Sequence, residues 1–442
     1  MQKLPRFMRA PAKCNASLSA VASLNNVFNL LSPMNLFSCT LLRWLFRKSV
    51  GGLAFLCFIP TLSVFAQQQD VRNWLIESLQ QEQRVESSVF PAGSFPSYRR
   101  YSWNGNTEKA DINPFFTGLV DFTLAGIQHD LSPDLQAKVQ EIRNRCKQVY
   151  PKFINRKNRP TYNFWPTDTP RIFPNGGWLN LFNKSQSLPD DMDDTVILLL
   201  AQQAPDSLAA VVHQLMQSFT NGQKKSINNT YSFLQDLPAY STWFGKKMPV
   251  DFDISVLSNI LYFVQSYRLP WNAADSASLQ LIVRVLEKEK YLDDPAFISP
   301  HYQRLPVILY HLSRLMASKS LPELEQFKPR LVAVSQDALA KIENPMDAVL
   351  LHTALMRWGV YVAPMQQLTF SKWQQEISSG DFSFFIANMS SMLPASLKKS
   401  LGKAGVGTFY YTCTGYNYAL VLENLVWQER FFKENKGVTS TF

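Results

Sequence analysis

Apolar residues recur three and four positions apart along nearly the whole chain beyond residue 70, and this periodicity leaves room for little except helix. Leu257, Ile260, Leu261 and Val264 form one such stripe, and Leu305, Ile308, Leu309 and Leu312 another. Helix-start residues stand among these stripes: Ser132-Pro133, Asp206, Asp275 and Asn344-Pro345. A side-chain oxygen at the cap satisfies an amide that the first turn leaves unpaired, and proline in that turn removes one. The pattern predicts helices over 70–82, 113–128, 134–150, 191–203, 206–219, 253–267, 276–290, 303–317, 323–342, 346–358, 369–377 and 416–434. With 46% hydrophobic residues in a chain of 442, a large core can be buried, and a dozen helices suit paired rings.

Two stretches depart from this pattern. Pro91 and Pro96 break 86–112, and Pro151, Pro160, Pro166, Pro170 and Pro174 break 151–189, with aromatic residues between them. Both are predicted to be long ordered loops, and loops of that length in a compact domain tend to carry function. No linker or short-period repeat divides the rest. One helical domain over 113–442 is therefore expected, preceded by an irregular extension over 67–112.

Residues 1–66 are of another kind. Arg43, Arg47 and Lys48 precede an apolar run from Val50 to Phe65, and Val64-Phe65-Ala66 is followed by Gln67-Gln68-Gln69. That order describes an export signal with its cleavage site, and the run is short for a bilayer span. Met1 to Pro33 is long for the basic part of such a signal, and Met34 is a better start. Cleavage at Ala66 predicts a periplasmic or secreted product without stable membrane insertion. Residues 1–66 hold seven Lys/Arg and no Asp/Glu, so their removal lowers the formal charge from +10 to +3. The basic balance thus gives no argument for a nucleic-acid partner. Cys146 and Cys413 remain, either paired or as two unrelated buried thiols.

The densest chemistry is Pro189-Asp190-Asp191-Met192-Asp193-Asp194-Thr195, followed at once by Val196-Ile197-Leu198-Leu199-Leu200. Acids at a helix start are favoured by unpaired amides and the macrodipole, which accounts for one or two of them. Four against an apolar stem repel one another and raise at least one carboxyl pKa unless cations compensate. A carboxyl that stays protonated near neutral pH is a general acid.

Asp191-Met192-Asp193-Asp194-Thr195 resembles the Asp-x-Asp-Asp-Thr motif of class II terpene cyclases in the prenyltransferase/squalene-oxidase-repeat superfamily. Tyr162-Asn163-Phe164-Trp165-Pro166, Asp251-Phe252-Asp253 ahead of Asn259, and Ser299-Pro300-His301-Tyr302 extend the resemblance over about residues 110–430. The resemblance implies an all-α fold, an α/α toroid of the (α/α)6-barrel kind, with the acids opening an inner helix. It implies that Asp193 protonates an alkene or epoxide of an apolar substrate while Asp191 and Asp194 hold its proton and orientation. Trp165, Trp178, Trp243, Phe244 and Tyr302 would offer ring faces to a carbocation, and Asp253 and His301 would line the same cavity. The regular Gln/Trp repeats of triterpene cyclases are absent.

Other readings of the same acids stay open. Asp190-Asp191-x-x-Asp194, with Asn228, Ser232 and Asp236, has the form of a Mg²⁺ site of class I prenyl enzymes. Asp193 with Asp251, Asp253, Asp293 or Asp294 would suit a glycan-active hydrolase or lyase, with the aromatics of 162–178 stacking on sugar rings. A non-catalytic binding protein is the third. His129, His213, His301, His311 and His352 show no zinc spacing, and no glycine-rich phosphate loop or nucleophile elbow is present, so no cofactor is expected.

Overall fold

The computed structural model describes residues 71–102, 107–157, 159–168, 189–245, 248–363 and 370–435. Residues 1–66 and Trp178 lie outside the described residues. The chain is an all-α protein, an α/α toroid. Among the described residues the rings are built from α1 (71–82), α2 (Phe115–Ile127), α3 (Pro133–Cys146), α4 (Met192–Gln202), α5 (Asp206–Met216) and α6 (Ile254–Ser266), then α7 (Ala273–Glu287), α8 (Leu305–Ser318), α9 (Lys328–Lys341), α10 (Pro345–Arg357), α11 (Phe370–Ser378) and α12 (Thr414–Asn435), while the helix Ala395–Lys403 and shorter pieces lie in the connections. Each ring helix matches one segment predicted from the periodicity.

Even-numbered helices form the inner ring. Each packs against the next, from α2 through α4, α6, α8 and α10 to α12, and α12 packs back onto α2 to close it. Odd-numbered helices lie outside, α3 against α2, α7 against α6, α9 against α8 and α10, and α11 against α10 and α12. The two rings differ in how they are buried. Inner helix α4 buries every residue from Met192 to Ala201 and α8 every residue from Pro306 to Met316. Outer helix α9 buries only Leu331, Val334 and Ser335. A helix apolar all round belongs in the centre, and one with a single apolar stripe belongs at the rim.

Of the predicted helix starts, Asn344 follows the cap chemistry, Ser132 stands at the cap position of α3 ahead of Pro133 without a side-chain cap bond, and two others are corrected. Asn344 accepts from the amides of Met346 and Asp347. At α7, however, Asn272 is the cap and the Asp275 carboxylate accepts from the Asn272 backbone N–H, a reciprocal box that begins three residues earlier than read from Asp275. At α5 the cap position is Pro205, and Asp206 is already helical.

The segment 86–112, read as loop, holds two strands. β1 (Tyr98–Tyr101) pairs with β2 (Lys109–Ala110), and a four-stranded antiparallel sheet in the order β2-β1-β6-β5 adds β5 (Ile386–Asn388) and β6 (Thr408–Thr412). Arg99 stands opposite Tyr411. Because β1 precedes α2 and β6 precedes α12, the sheet joins the two chain segments whose helices close the ring. The stretch expected to be an extension thus contributes α1 and β1 to the toroid. Arg72 of α1 pairs with Glu429 of α12 at 2.6 Å.

Cys146 and Cys413 are free and buried. Among the described residues no helix is long and apolar enough to cross a membrane. A buried ion pair ties three helices together. Arg143 of α3 meets Asp121 of α2 at 2.8 Å and donates to the Ala201 carbonyl of α4 at 3.0 Å, and the Tyr150 hydroxyl donates to the other Asp121 oxygen at 2.8 Å.

Candidate functional site

Consecutive inner helices are separated by one returning outer helix, so their N-termini share one mouth of the ring. Their macrodipoles place positive ends there, which favours acids at that mouth. Asp190 and Asp191 form the two-residue strand β3, paired antiparallel with β4 (Trp243–Phe244), so that Asp190 faces Phe244 and Asp191 faces Trp243. Directly opposed residues project to the same face, and neighbours along a strand to opposite faces. The turn therefore sorts its own acids.

On one face Asp190 is fully engaged. It accepts from Asn155 at 2.6 Å, from Arg159 at 2.8 Å and from the Thr161 hydroxyl. Phe244 shares that face and packs edge-on against Phe219, ring centroids 5.4 Å apart, so it is core rather than site. On the other face Asp191 caps α4, its Oδ1 accepting from the amides of Asp193 at 2.7 Å and Asp194 at 3.3 Å. Among the described residues nothing donates to its Oδ2. Burial and the Asp193 charge hold the Asp191 carboxyl at about 7, against the opposing pull of His301.

Asp193 points to the ring interior. One oxygen accepts from Asn259 of α6 at 2.6 Å and the other from the Tyr302 hydroxyl. Burial raises its carboxyl to about 6 even though both bonds oppose the rise. Burial and Asp193 push the Tyr302 phenol well above its usual range, so it stays a donor. Behind this pair, Arg314 of α8 donates to the Asn259 side-chain oxygen. Asp194 is 1% exposed with neither oxygen hydrogen-bonded. Burial and then the charges of Asp191, Asp193 and Asp190 drive it well above the carboxylate range.

Helix α6 opens the same way. Asp253 caps it, accepting from the amides of Ser255 at 2.8 Å and Val256 at 3.3 Å, from the Ser299 hydroxyl at 2.7 Å and from the His301 amide at 2.8 Å. His301 Nε2 lies 3.3 Å from Asp251, whose other oxygen faces Lys398 at 3.5 Å. Burial works against both charges, yet Asp251 raises His301 above its ordinary value, and Lys398 and His301 hold Asp251 below its own. The imidazole lies parallel to Phe385 at 6.1 Å and edge-on to Trp243 at 6.0 Å. Phe385 in turn packs on Tyr302, Phe115 and Phe164.

The structure thus brings Asp191, Asp193, Asp194, Asp251, Asp253, Trp243, His301 and Tyr302 together. Trp165 stands one neighbour back, edge-on to Phe164 and donating to Asp111 at 3.3 Å. Asp293 and Asp294 belong elsewhere, paired with Lys290 and Lys399. The Mg²⁺ reading loses its parts: Asp190 is taken by Arg159, and Asp236 pairs with Arg284 of outer helix α7 at 2.6 Å. Among the described residues no group of three or more His, Cys, Asp or Glu is arranged to hold a metal ion. Sequence reasoning missed Phe385, Lys398 and Arg314. Arg314 alone left a signal, as a charge within the apolar run of an inner helix.

The raised carboxyls fix a direction for stability against pH. Asp191 and Asp193 bind a proton more tightly folded than unfolded, so their contribution is complete below about pH 4 and is lost as pH rises through about 6 to 7. The melting temperature is expected to fall between about pH 4 and 7, and the fall to flatten in Asp191→Asn. An unchanged slope in that variant contradicts the assignment.

No family model and no curated protein matches the chain. Among solved structures, an unsaturated glucuronyl hydrolase specific for heparin is similar at a TM-score of 0.40 and 10% identity, covering 84% of this chain and 97% of that one.

Proposed function

We infer that the chain is a glycan-active hydrolase in which Asp191 donates the proton to a glycosidic oxygen. The observation that carries this reading is the pairing of Asp191 with Trp243 across β3 and β4. One offers a carboxyl oxygen that no described residue engages, and the other an indole N–H that is buried without an acceptor. A buried indole N–H left without an acceptor among the described residues costs free energy and is satisfied by a hydroxyl oxygen, to which the Asp191 carboxyl beside it can also bond. An Asp191 carboxyl at about 7 keeps a large protonated fraction near neutral pH, poised as a general acid requires. His301, Trp243 and Phe385 supply flat faces beside it for a sugar ring.

In this mechanism the Asp191 proton passes from Oδ2 to the bridging oxygen as that oxygen's bond to the anomeric carbon breaks; water then adds its hydroxyl to the anomeric carbon and gives its other proton to the Asp191 carboxylate, which restores the acid. Asp193, held by Asn259 and Tyr302, orients the turn and keeps negative charge next to Asp191, which sustains its raised pKa. The cyclase reading retains its motif, but both Asp193 oxygens accept hydrogen bonds and leave no proton directed at an alkene. Purified protein incubated with a panel of oligosaccharides is expected to release new reducing ends. Turnover of a linear isoprenoid with no glycan cleavage would overturn the assignment.

Trp243→Phe keeps the ring and removes the N–H. It is expected to raise KM several-fold with kcat little changed, an effect of about 1 kcal/mol for one hydrogen bond. Equal kinetics would detach the indole from substrate. Residues 1–66 are proposed as an export signal, which predicts Gln67 as the N-terminus of protein recovered from the periplasm or medium; N-terminal sequencing decides it.

A further inference from the structure

Toward the mouth opposite the acids lies a half-open cavity of about 220 Å³ that the reaction above does not use. Its walls come from Phe122 of α2, Tyr262 of α6, Arg314 of α8, Arg357 of α10, and Trp427 and Arg430 of α12. Negative macrodipole ends gather at this mouth and favour cations, which accounts for the type of charge found here. They do not account for its balance.

Arg357 is paired with Glu423, and Arg430 with Asp130 at 2.6 Å. Arg314, 6% exposed, meets no carboxylate among the described residues: Nη2 is spent on the neutral Asn259 amide, and Nη1 is buried without an acceptor. Its guanidinium carbon lies 5.0 Å from the Phe122 ring centre and 5.8 Å from that of Tyr262, both wall residues, so the charge itself belongs to the cavity wall. The negative charge of Asp193 is reached only through Asn259, so the guanidinium keeps an edge that no carboxylate among the described residues meets directly.

The shape narrows what meets that edge. Guanidinium groups bind carboxylates through two parallel hydrogen bonds, and Phe122, Tyr262 and Trp427 provide flat apolar walls around the opening. An apolar cavity of about 150 Å³ is enough for a benzene ring. We propose that this cavity is a binding site for a small planar organic carboxylate, held by Arg314 and flanked by the aromatic walls.

Calorimetric titration of the full chain with benzoate tests it, with the neutral amide benzamide as comparison. Benzoate is expected to bind saturably at one site, and benzamide at least about tenfold more weakly, since the loss of one ionic pair is worth that ratio or more. Arg314→Met is expected to abolish benzoate binding. Gly126→Leu is the second variant, because Gly126 lines the cavity and a Cβ there meets nothing within 4 Å. It adds bulk at the wall while leaving Arg314 in place, so a folded Gly126→Leu protein with binding weakened at least tenfold supports the site even if Arg314→Met fails to fold. Absence of saturable benzoate binding, equal affinity for benzamide, or undiminished binding by Gly126→Leu overturns it.

Discussion

Asp191→Asn is expected to lower kcat on a cleavable oligosaccharide by a factor on the order of 10²–10⁴, the usual contribution of one positioned general acid. The substitution is selective because the cap survives. Asparagine accepts from the Asp193 and Asp194 amides as aspartate does, so α4 starts where it did. It also removes a carboxyl that burial and Asp193 disfavour in its charged form, so the melting temperature at pH 8 is expected to hold or rise. Asp193→Asn makes the contrast. Its partners Asn259 and Tyr302 both donate, and an amide offers only one acceptor to the two. That variant should lose stability as well as rate. Full activity in Asp191→Asn, with Asp193→Asn inactive and as stable as the parent, would move the proton to Asp193 and revive the cyclase assignment.

The largest stability effect is expected away from the site, at Arg143→Met. The change leaves Asp121, 0% exposed, with only the Tyr150 hydroxyl, and strips the Gln128 side chain and the Ala201 carbonyl of a donor. Removing one partner of a buried ion pair costs about 3–5 kcal/mol because the other charge stays behind. Asp121 answers by taking a proton; burial already raises its pKa, and Arg143 is the main opposing influence. The loss should therefore be larger at pH 8 than at pH 5. Urea unfolding at the two pH values measures it, and the double variant Asp121→Leu/Arg143→Met is expected to recover most of the loss. A single variant weakened by less than about 1 kcal/mol would show that the pair does not hold α2, α3 and α4 together.

The helices were legible because each carries its own signal. A stripe such as Leu257, Ile260, Leu261 and Val264 marks a buried face whatever lies opposite, and Asn344-Pro345 marks a start. The strands were not legible, since Tyr98–Tyr101 acquires meaning only from Thr408–Thr412, some three hundred residues away. The acid turn showed its crowding but not its division of labour. That division comes from the strand register, which turns Asp190 toward Arg159 and Asp191 toward Trp243. Asp251 and Asp253 were readable as candidates because they precede a helix. Lys398, in Lys398-Lys399, resembles any solvated pair until the fold buries one member against Asp251.

The β1–β6 clasp sets a limit on how this chain can assemble. An open stack of helical pairs gains stability unit by unit and can fray from either end. Here the first inner helix finds its last neighbour only after residues 408–435 exist, so a growing chain holds a gap in its wall until synthesis is nearly finished. Removing α12 should cost the integrity of both mouths at once, and the circle should melt as a single unit rather than one pair at a time.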